Sequence, residues 1–168
     1  MNKCIIQVIG RKDSGKTLTI EKAVRKLKQV GFKVAVIKHS HHEIDLQGKD
    51  TFRFWSSGSD YVVFMNGKGV IMGRFSVDEL VNLLPTDVIF IEGFKEFKLG
   101  EVFEIIKPEE AEFLSEKIVD YVEKNCNKID FTIIGDGKVL DANNKYVIML
   151  YNLMLTLNLS EVKIDRRS

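Results

Sequence analysis

The segment GRKDSGKT, residues 10–17, gathers the residue types that can hold a phosphate chain. It fits the pattern G-x-x-x-x-G-K-[ST] of a phosphate-binding loop. Gly10 and Gly15 let the backbone curl so that successive N–H groups, those of Asp13 and Ser14 among them, converge on phosphate oxygens. Lys16 supplies a mobile point charge for the β- and γ-phosphates, and Thr17 a hydroxyl suited to Mg²⁺. Leu18, in the first turn of the helix expected to follow, adds an amide at the positive end of its dipole.

A second group of candidates lies further along. DVIFIEGFK (87–95) is an apolar strand ending in Glu92. Ligands of open parallel sheets sit beyond the carboxyl ends of the strands, so Glu92 is expected near the same phosphates. There it would hold magnesium or orient a water. The segment VIKHSHHEIDLQGKD (36–50) carries every histidine, His39, His41 and His42. Three readings stay open for them: nucleotide or partner contact, a solvated loop, or a transition-metal site. His41 and His42 are adjacent and point apart in an extended chain, which argues against a three-histidine cage. Asp45 and Asp50 offer oxygen ligands that suit Mg²⁺ better than zinc. Lys38 and Lys49 add positive charge.

These residues need elements to position them. CIIQVI (4–9) is an apolar run broken only by Gln7, as in a strand covered on both faces. From Thr17 the apolar period becomes helical through Ile20, Ala23, Val24 and Leu27, and Gly31 ends that helix. KVAVIK (33–38) follows as a second buried strand, which completes a βαβ unit. Residues 49–58 read as a short helix or a loop. Asn66-Gly67 between YVVFM and GVIM predicts a hairpin with a type I′ turn. Ser76 and Glu79 form a capping box for a helix over 76–84. EVFEII (101–106) is a fourth strand, and a helix follows Pro108. A hairpin around Asp136-Gly137 and an apolar helix over 145–157 close the chain. The expected fold is α/β: a mostly parallel phosphate-loop sheet with helices on both faces. Residues 1–127 are expected to form the nucleotide-binding domain and 128–168 a C-terminal hairpin-helix appendage.

Composition narrows the partners. The 168 residues carry 25 basic and 24 acidic side chains, net +1, so no global field recruits nucleic acid or an anionic membrane. No apolar stretch reaches transmembrane length and no signal-peptide pattern opens the chain, so the cytoplasm is the expected compartment. Cys4 and Cys126 show no CxxC spacing, which predicts free thiols rather than a disulfide framework or a zinc site.

The combination GRKDSGKT, IKHSHH…D…GKDT and IEGFK resembles the molybdopterin-guanine dinucleotide biosynthesis protein B (MobB) family over roughly residues 4–107. The resemblance implies a homodimeric GTP-binding protein with weak hydrolysis, Mg²⁺ as cofactor, and work beside a MobA-like guanylyltransferase and molybdopterin-binding enzymes. It carries over Gly10, Ser14, Gly15, Lys16 and Thr17 as phosphate and magnesium ligands. His39, His42, Asp45, Gly48, Lys49, Asp50 and Thr51 match the second motif, and Glu92, Gly93 and Lys95 the third. The spacer EIDLQGKD is shorter than the family's usual one and leaves Asp45 as the acid of that segment. Glu104 and Lys107 stand as equivalents of the family's later Glu and basic residue. Lys16, Glu92 and Asp45 are thus the candidate catalytic residues, and Thr17, Asp45 and Glu92 the candidate metal ligands. The Asn-Lys-x-Asp guanine signature is absent, so GTP rests on the resemblance. A small-molecule kinase or a metal-delivery GTPase on the same scaffold is the alternative.

Overall fold

The computed structural model describes residues 3–40, 50–128, 131–135 and 137–162. Its chain divides into two compact units, residues 1–39 with 81–168, and residues 40–80.

The larger unit is built on a four-stranded sheet in the order β2-β5-β1-β6, every pair parallel. The strands are β1 (Cys4–Gly10), β2 (Val34–Lys38), β5 (Val88–Glu92) and β6 (Glu101–Ile105). The two inner strands are the most apolar runs, and β5 is buried at every position. Ile6 and Val8 of β1, Val88 and Phe90 of β5 and Ile105 of β6 share one face. Helices α1 (Lys16–Gln29) and α4 (Ala111–Asn125) cover it with Ile20, Ala23, Leu27, Ile118 and Val122. A short 3-10 turn, Pro108–Glu110, leads into α4. KVAVIK was expected to be buried throughout, but β2 is an outer strand of this sheet. Val36, at the rim of the helix-covered face, keeps 49% of its surface exposed.

Helix α1 ends where Gly31 predicted. Gly31 has φ 87°, its N–H donates to Lys28 O (3.2 Å), and Phe32 N–H reaches back to Leu27 O (3.0 Å). This pair of bonds is a Schellman closure, and Phe32 and Leu27 complete it by joining the same core cluster.

The opposite face of β1 carries Ile5, Gln7 and Ile9. Residues 93–100 run from β5 to β6 across β1, which lies between them. A parallel crossover commonly contains a helix; this one is a bare loop, so its carbonyls find partners elsewhere. Gln7 provides them, as described below. Gly100 presses on β1, where a Cβ would fall 2.3 Å from the Ile5 carbonyl oxygen.

Cys4 and Cys126 are joined in a disulfide, with Cα atoms 5.6 Å apart. The expectation of two free thiols is therefore overturned. The residues stand 122 positions apart, a spacing with no sequence signature, and meet because α4 returns its last turn to the start of β1. The unit ends with the hairpin β7 (Ile133–Gly135) and β8 (Lys138–Leu140), then helix α5 (Lys145–Thr156), whose Asn144 side chain accepts from Tyr146 N.

The smaller unit holds α2 (Asp50–Ser56) and the hairpin β3 (Tyr61–Asn66) and β4 (Lys68–Gly73). The hairpin is where Asn66-Gly67 placed it, but the turn is not type I′. Gly67 alone takes positive φ (66°), and Asn66 stays in the strand, paired with Lys68. The capping box forms at the start of α3 (Val77–Leu83): Ser76 N donates to Glu79 Oε2 (2.6 Å) and Glu79 N to Ser76 Oγ (3.2 Å). Bonds from the Ser76 backbone, and secondarily its hydroxyl, hold the Glu79 carboxyl below its ordinary range. No helix among the described residues is long and apolar enough to cross a membrane.

Candidate functional site

The β1–α1 junction is shaped by two glycines with no room for a side chain. A Cβ on Gly10 would fall 2.4 Å from both the Ile105 carbonyl oxygen and Ser14 Oγ. Gly15 has φ 95°, and its Cβ would meet Pro108 Cα at 2.8 Å. Asp13 also adopts a left-handed φ of 60°, a conformation uncommon outside glycine. The loop is thus wound tightly around its own interior by sterics from β6 and the 3-10 turn.

Within it, Lys16 Nζ donates to the carbonyls of Arg11 (2.6 Å) and Gly10 (3.2 Å), folding the ammonium over the loop. The Ser14 hydroxyl is buried and has no hydrogen-bond partner among the described residues. A buried orphan hydroxyl costs free energy unless something satisfies it. Thr17 Oγ1 donates to Glu92 Oε2 at 3.0 Å, and Lys38 Nζ lies 3.3 Å from Glu92 Oε1. Register explains this meeting: Glu92 is aligned with Val8 of β1 on one side and Lys38 of β2 on the other. Glu92 is 8% exposed. A carboxylate this buried is stable only when paired, and its two oxygens have separate partners.

The structure therefore brings Gly10, Asp13, Ser14, Gly15, Lys16, Thr17 and Glu92 together at the carboxyl end of the sheet. Lys38, seen in the sequence only as local charge, joins them. His39 follows directly; its N–H donates to Glu92 O (3.0 Å) and its ring stacks on Phe94 at 4.3 Å. Leu18 turns outward and is 42% exposed. Lys95, Glu104 and Lys107 are exposed, with no contact to the loop 10–17 among the described bonds. Asp50 and Thr51 open α2 in the smaller unit. His41, His42, Asp45, Gly48 and Lys49 lie outside the described residues. Among the described residues no three His, Cys, Asp or Glu side chains cluster as a metal centre would require.

Sequence reasoning missed Gln7 and Phe94. The signal for Gln7 was present, as the one polar residue inside an otherwise apolar central strand. Phe94 gave no local signal, because its role depends on the turn after β5.

The arrangement suits a polyphosphate with a divalent cation. A glycine-walled cradle, an ammonium held by loop carbonyls, a buried hydroxyl without a partner among the described residues and a Thr–Glu pair each match one part of such a ligand.

Residues 5–123 match the family model "Molybdopterin guanine dinucleotide synthesis protein B". A protein of Bacillus subtilis (strain 168) described as "Probable molybdopterin-guanine dinucleotide biosynthesis adapter protein" is 36% identical over 121 residues, covering 66% of this chain and 69% of that protein. A Haemophilus influenzae relative, "Molybdopterin-guanine dinucleotide biosynthesis adapter protein", is 33% identical over 118 residues, 62% of this chain and 66% of the relative. The solved structure titled "The Crystal structure of Bacillus subtilis MobB" superposes with a TM-score of 0.50 at 24% identity. It covers 88% of this chain and 95% of its own, and supports the α/β fold with its mostly parallel sheet.

Proposed function

This chain belongs to the molybdopterin guanine dinucleotide synthesis protein B family, and on that premise we propose that it is a nucleotide-holding adapter of molybdenum-cofactor biosynthesis. It grips GTP on residues 10–17, with Mg²⁺, and presents it beside a guanylyltransferase that handles molybdopterin.

The observation that carries this reading is the joint placement of Lys16, Thr17 and Glu92 around a loop from which any side chain on Gly10 or Gly15 is excluded. The backbone amides from Asp13 to Thr17 and the start of α1 bind and orient the phosphates. Lys16 exchanges its carbonyl partners for phosphate oxygens, a stronger, charge-assisted bond. The orphan Ser14 hydroxyl gains an acceptor. Thr17 and Glu92 hold the cation, and Lys38 balances the Glu92 charge. The cation, when bound, neutralises charge on the β- and γ-phosphates. Guanine preference is supported by the dinucleotide named in the family's description. Hydrolysis, if it accompanies binding, is slow, with Lys16 and Glu92 at its centre.

Two further features belong to the reading. The chain acts as a homodimer, supported by the apolar surface left open on the β3–β4 hairpin: Tyr61, Val63, Phe64, Met65 and Ile71 are each more than half exposed. Its compartment is the cytoplasm, where the nucleotide and the transferase substrates are available.

The test is thermal unfolding of the chain with GTP or ATP, each with and without Mg²⁺. A ligand of the native state raises the midpoint by mass action. The reading expects the largest rise with GTP and Mg²⁺ together. Equal rises with both nucleotides would remove the guanine assignment, and no rise with either would remove the nucleotide. Phosphate release measured with and without a guanylyltransferase then separates an adapter from an autonomous GTPase.

A further inference from the structure

The crossover from β5 to β6 passes over β1 without a helix, and one side chain holds it there. Gln7 Nε2 lies 3.0, 2.8 and 2.9 Å from the carbonyl oxygens of Gly93, Phe94 and Phe97. Leu99 N donates to Gln7 Oε1 at 3.1 Å. The side chain is 1% exposed and aligned between Ile91 of β5 and Val102 of β6. An apolar residue would fill that site as well by volume, so the amide is there for the loop.

What it fixes lies immediately beyond Glu92. Gly93 and Phe94 take φ of 100° and 53°, two left-handed residues in succession. A bulky residue in that region persists only where its surroundings over-determine it. The carbonyls of these same two residues are held by Gln7. The consequence is directional: the Phe94 ring is turned onto His39 at 4.3 Å. Gly93, lacking a Cβ, lets His39 Cβ approach to what would be 3.3 Å. His39 in turn hydrogen-bonds the Glu92 carbonyl. Three residues after Gln7, the same strand delivers Gly10 and the phosphate loop.

We infer that Gln7 is a positioning residue of the phosphate site: through the Gly93–Phe94 turn it sets the Glu92 carboxylate and His39 against the loop 10–17. The inference rests on the phosphate-site reading and adds a division of labour to it. The amides and Lys16 of the loop are fixed by β1, α1 and the 3-10 turn, and do not depend on Gln7. The Thr17–Glu92–Lys38 group does. Loss of the Gln7 amide therefore weakens the metal-dependent part of nucleotide binding and spares the metal-free part.

The test uses Gln7→Met, which keeps the shape and removes both the amide donors and the oxygen that accepts from Leu99 N, with Gln7→Leu as a second variant should Gln7→Met fold poorly. GTP affinity is measured with Mg²⁺ and with chelator, and amide hydrogen exchange is followed without nucleotide. The expected result is faster exchange at Leu99, a roughly tenfold smaller Mg²⁺ enhancement, and metal-free affinity within about twofold of wild type. A purely structural role would instead lower both affinities together or leave both intact. An unchanged Mg²⁺ enhancement in a variant whose Leu99 exchange has accelerated overturns the inference. A wild-type chain that binds no nucleotide at all overturns the phosphate site itself, which is a separate and distinguishable result.

Discussion

Glu92 illustrates how neighbours across the sheet define the setting of a single buried carboxylate. Its oxygens are divided between the Thr17 hydroxyl and the Lys38 ammonium, so replacing it removes a charge that two elements share. Glu92→Gln keeps the volume, and the account expects it to lose most of the Mg²⁺ enhancement of nucleotide binding, by about tenfold or more, while metal-free binding changes little; calorimetric titration in Mg²⁺ and in chelator checks this. Gly15 is constrained differently. Gly15→Ala must accept φ 95° and a Cβ 2.8 Å from Pro108 Cα, at a cost of about 1–3 kcal/mol, seen as a lower midpoint in urea unfolding. The glycines, Lys16 and Thr17 were legible in the sequence because they fall in one pattern of eight contiguous residues, although Ile105 and Pro108 close the loop around them. The partner of Glu92, Lys38, was not, and Gln7 showed only as a polar break in an apolar strand, without what it holds. Lys38 meets Glu92 only after β2 and β5 pair in register, and Gln7 reaches residues 86 to 92 positions away. Spacing along the chain does not encode such meetings.

At the scale of elements, apolar period and turn chemistry predicted most strands and helices, while their order in the sheet depended on tertiary packing. The run VIFIE reads as fully buried and is; VAVIK reads the same way and is an outer strand whose middle valine meets solvent. The end of α1 is fixed by Gly31 at φ 87°, so Gly31→Ala is expected to cost about 1–2 kcal/mol, measured by chemical denaturation. The seam between α1 and α4 adds a pH dependence. Glu112 accepts from Lys22 (2.5 Å) and Lys26 (2.7 Å). The hydrogen bonds from Lys22 and Lys26 hold its carboxyl at about 2, below its ordinary value of 4.5. A depressed folded-state value means the contribution is present above pH 4.5 and lost as pH falls from there toward 2. Glu112→Gln is therefore expected to flatten the stability-versus-pH curve in that window by lowering stability slightly above pH 4.5 and leaving it unchanged near pH 2, the effect being small because the pair is exposed.

At the scale of the whole molecule, the Cys4–Cys126 bond closes most of the chain into one loop by tying the last turn of α4 to the first residue of β1. Constraining so long a loop in the unfolded chain stabilises the fold by about 2–4 kcal/mol. Cys126→Ser should thus lower the thermal midpoint of the oxidised protein and leave no further drop on adding reductant; equal midpoints for oxidised and reduced wild type would show that the bond contributes nothing. Disulfides persist mainly in oxidising compartments, with intracellular proteins of hyperthermophiles an exception. Thiol alkylation at the moment of cell lysis therefore reports on the compartment as well. The central claim remains the grip of residues 10–17 on a triphosphate, and its most direct test is calorimetric titration of GTP with Mg²⁺ into the wild-type chain and into Lys16→Ala. The account predicts saturable binding by the wild type and a roughly hundredfold loss in the variant, the scale of a charge-assisted bond removed. Equal affinity in the two proteins, or no binding by the wild type, would contradict it.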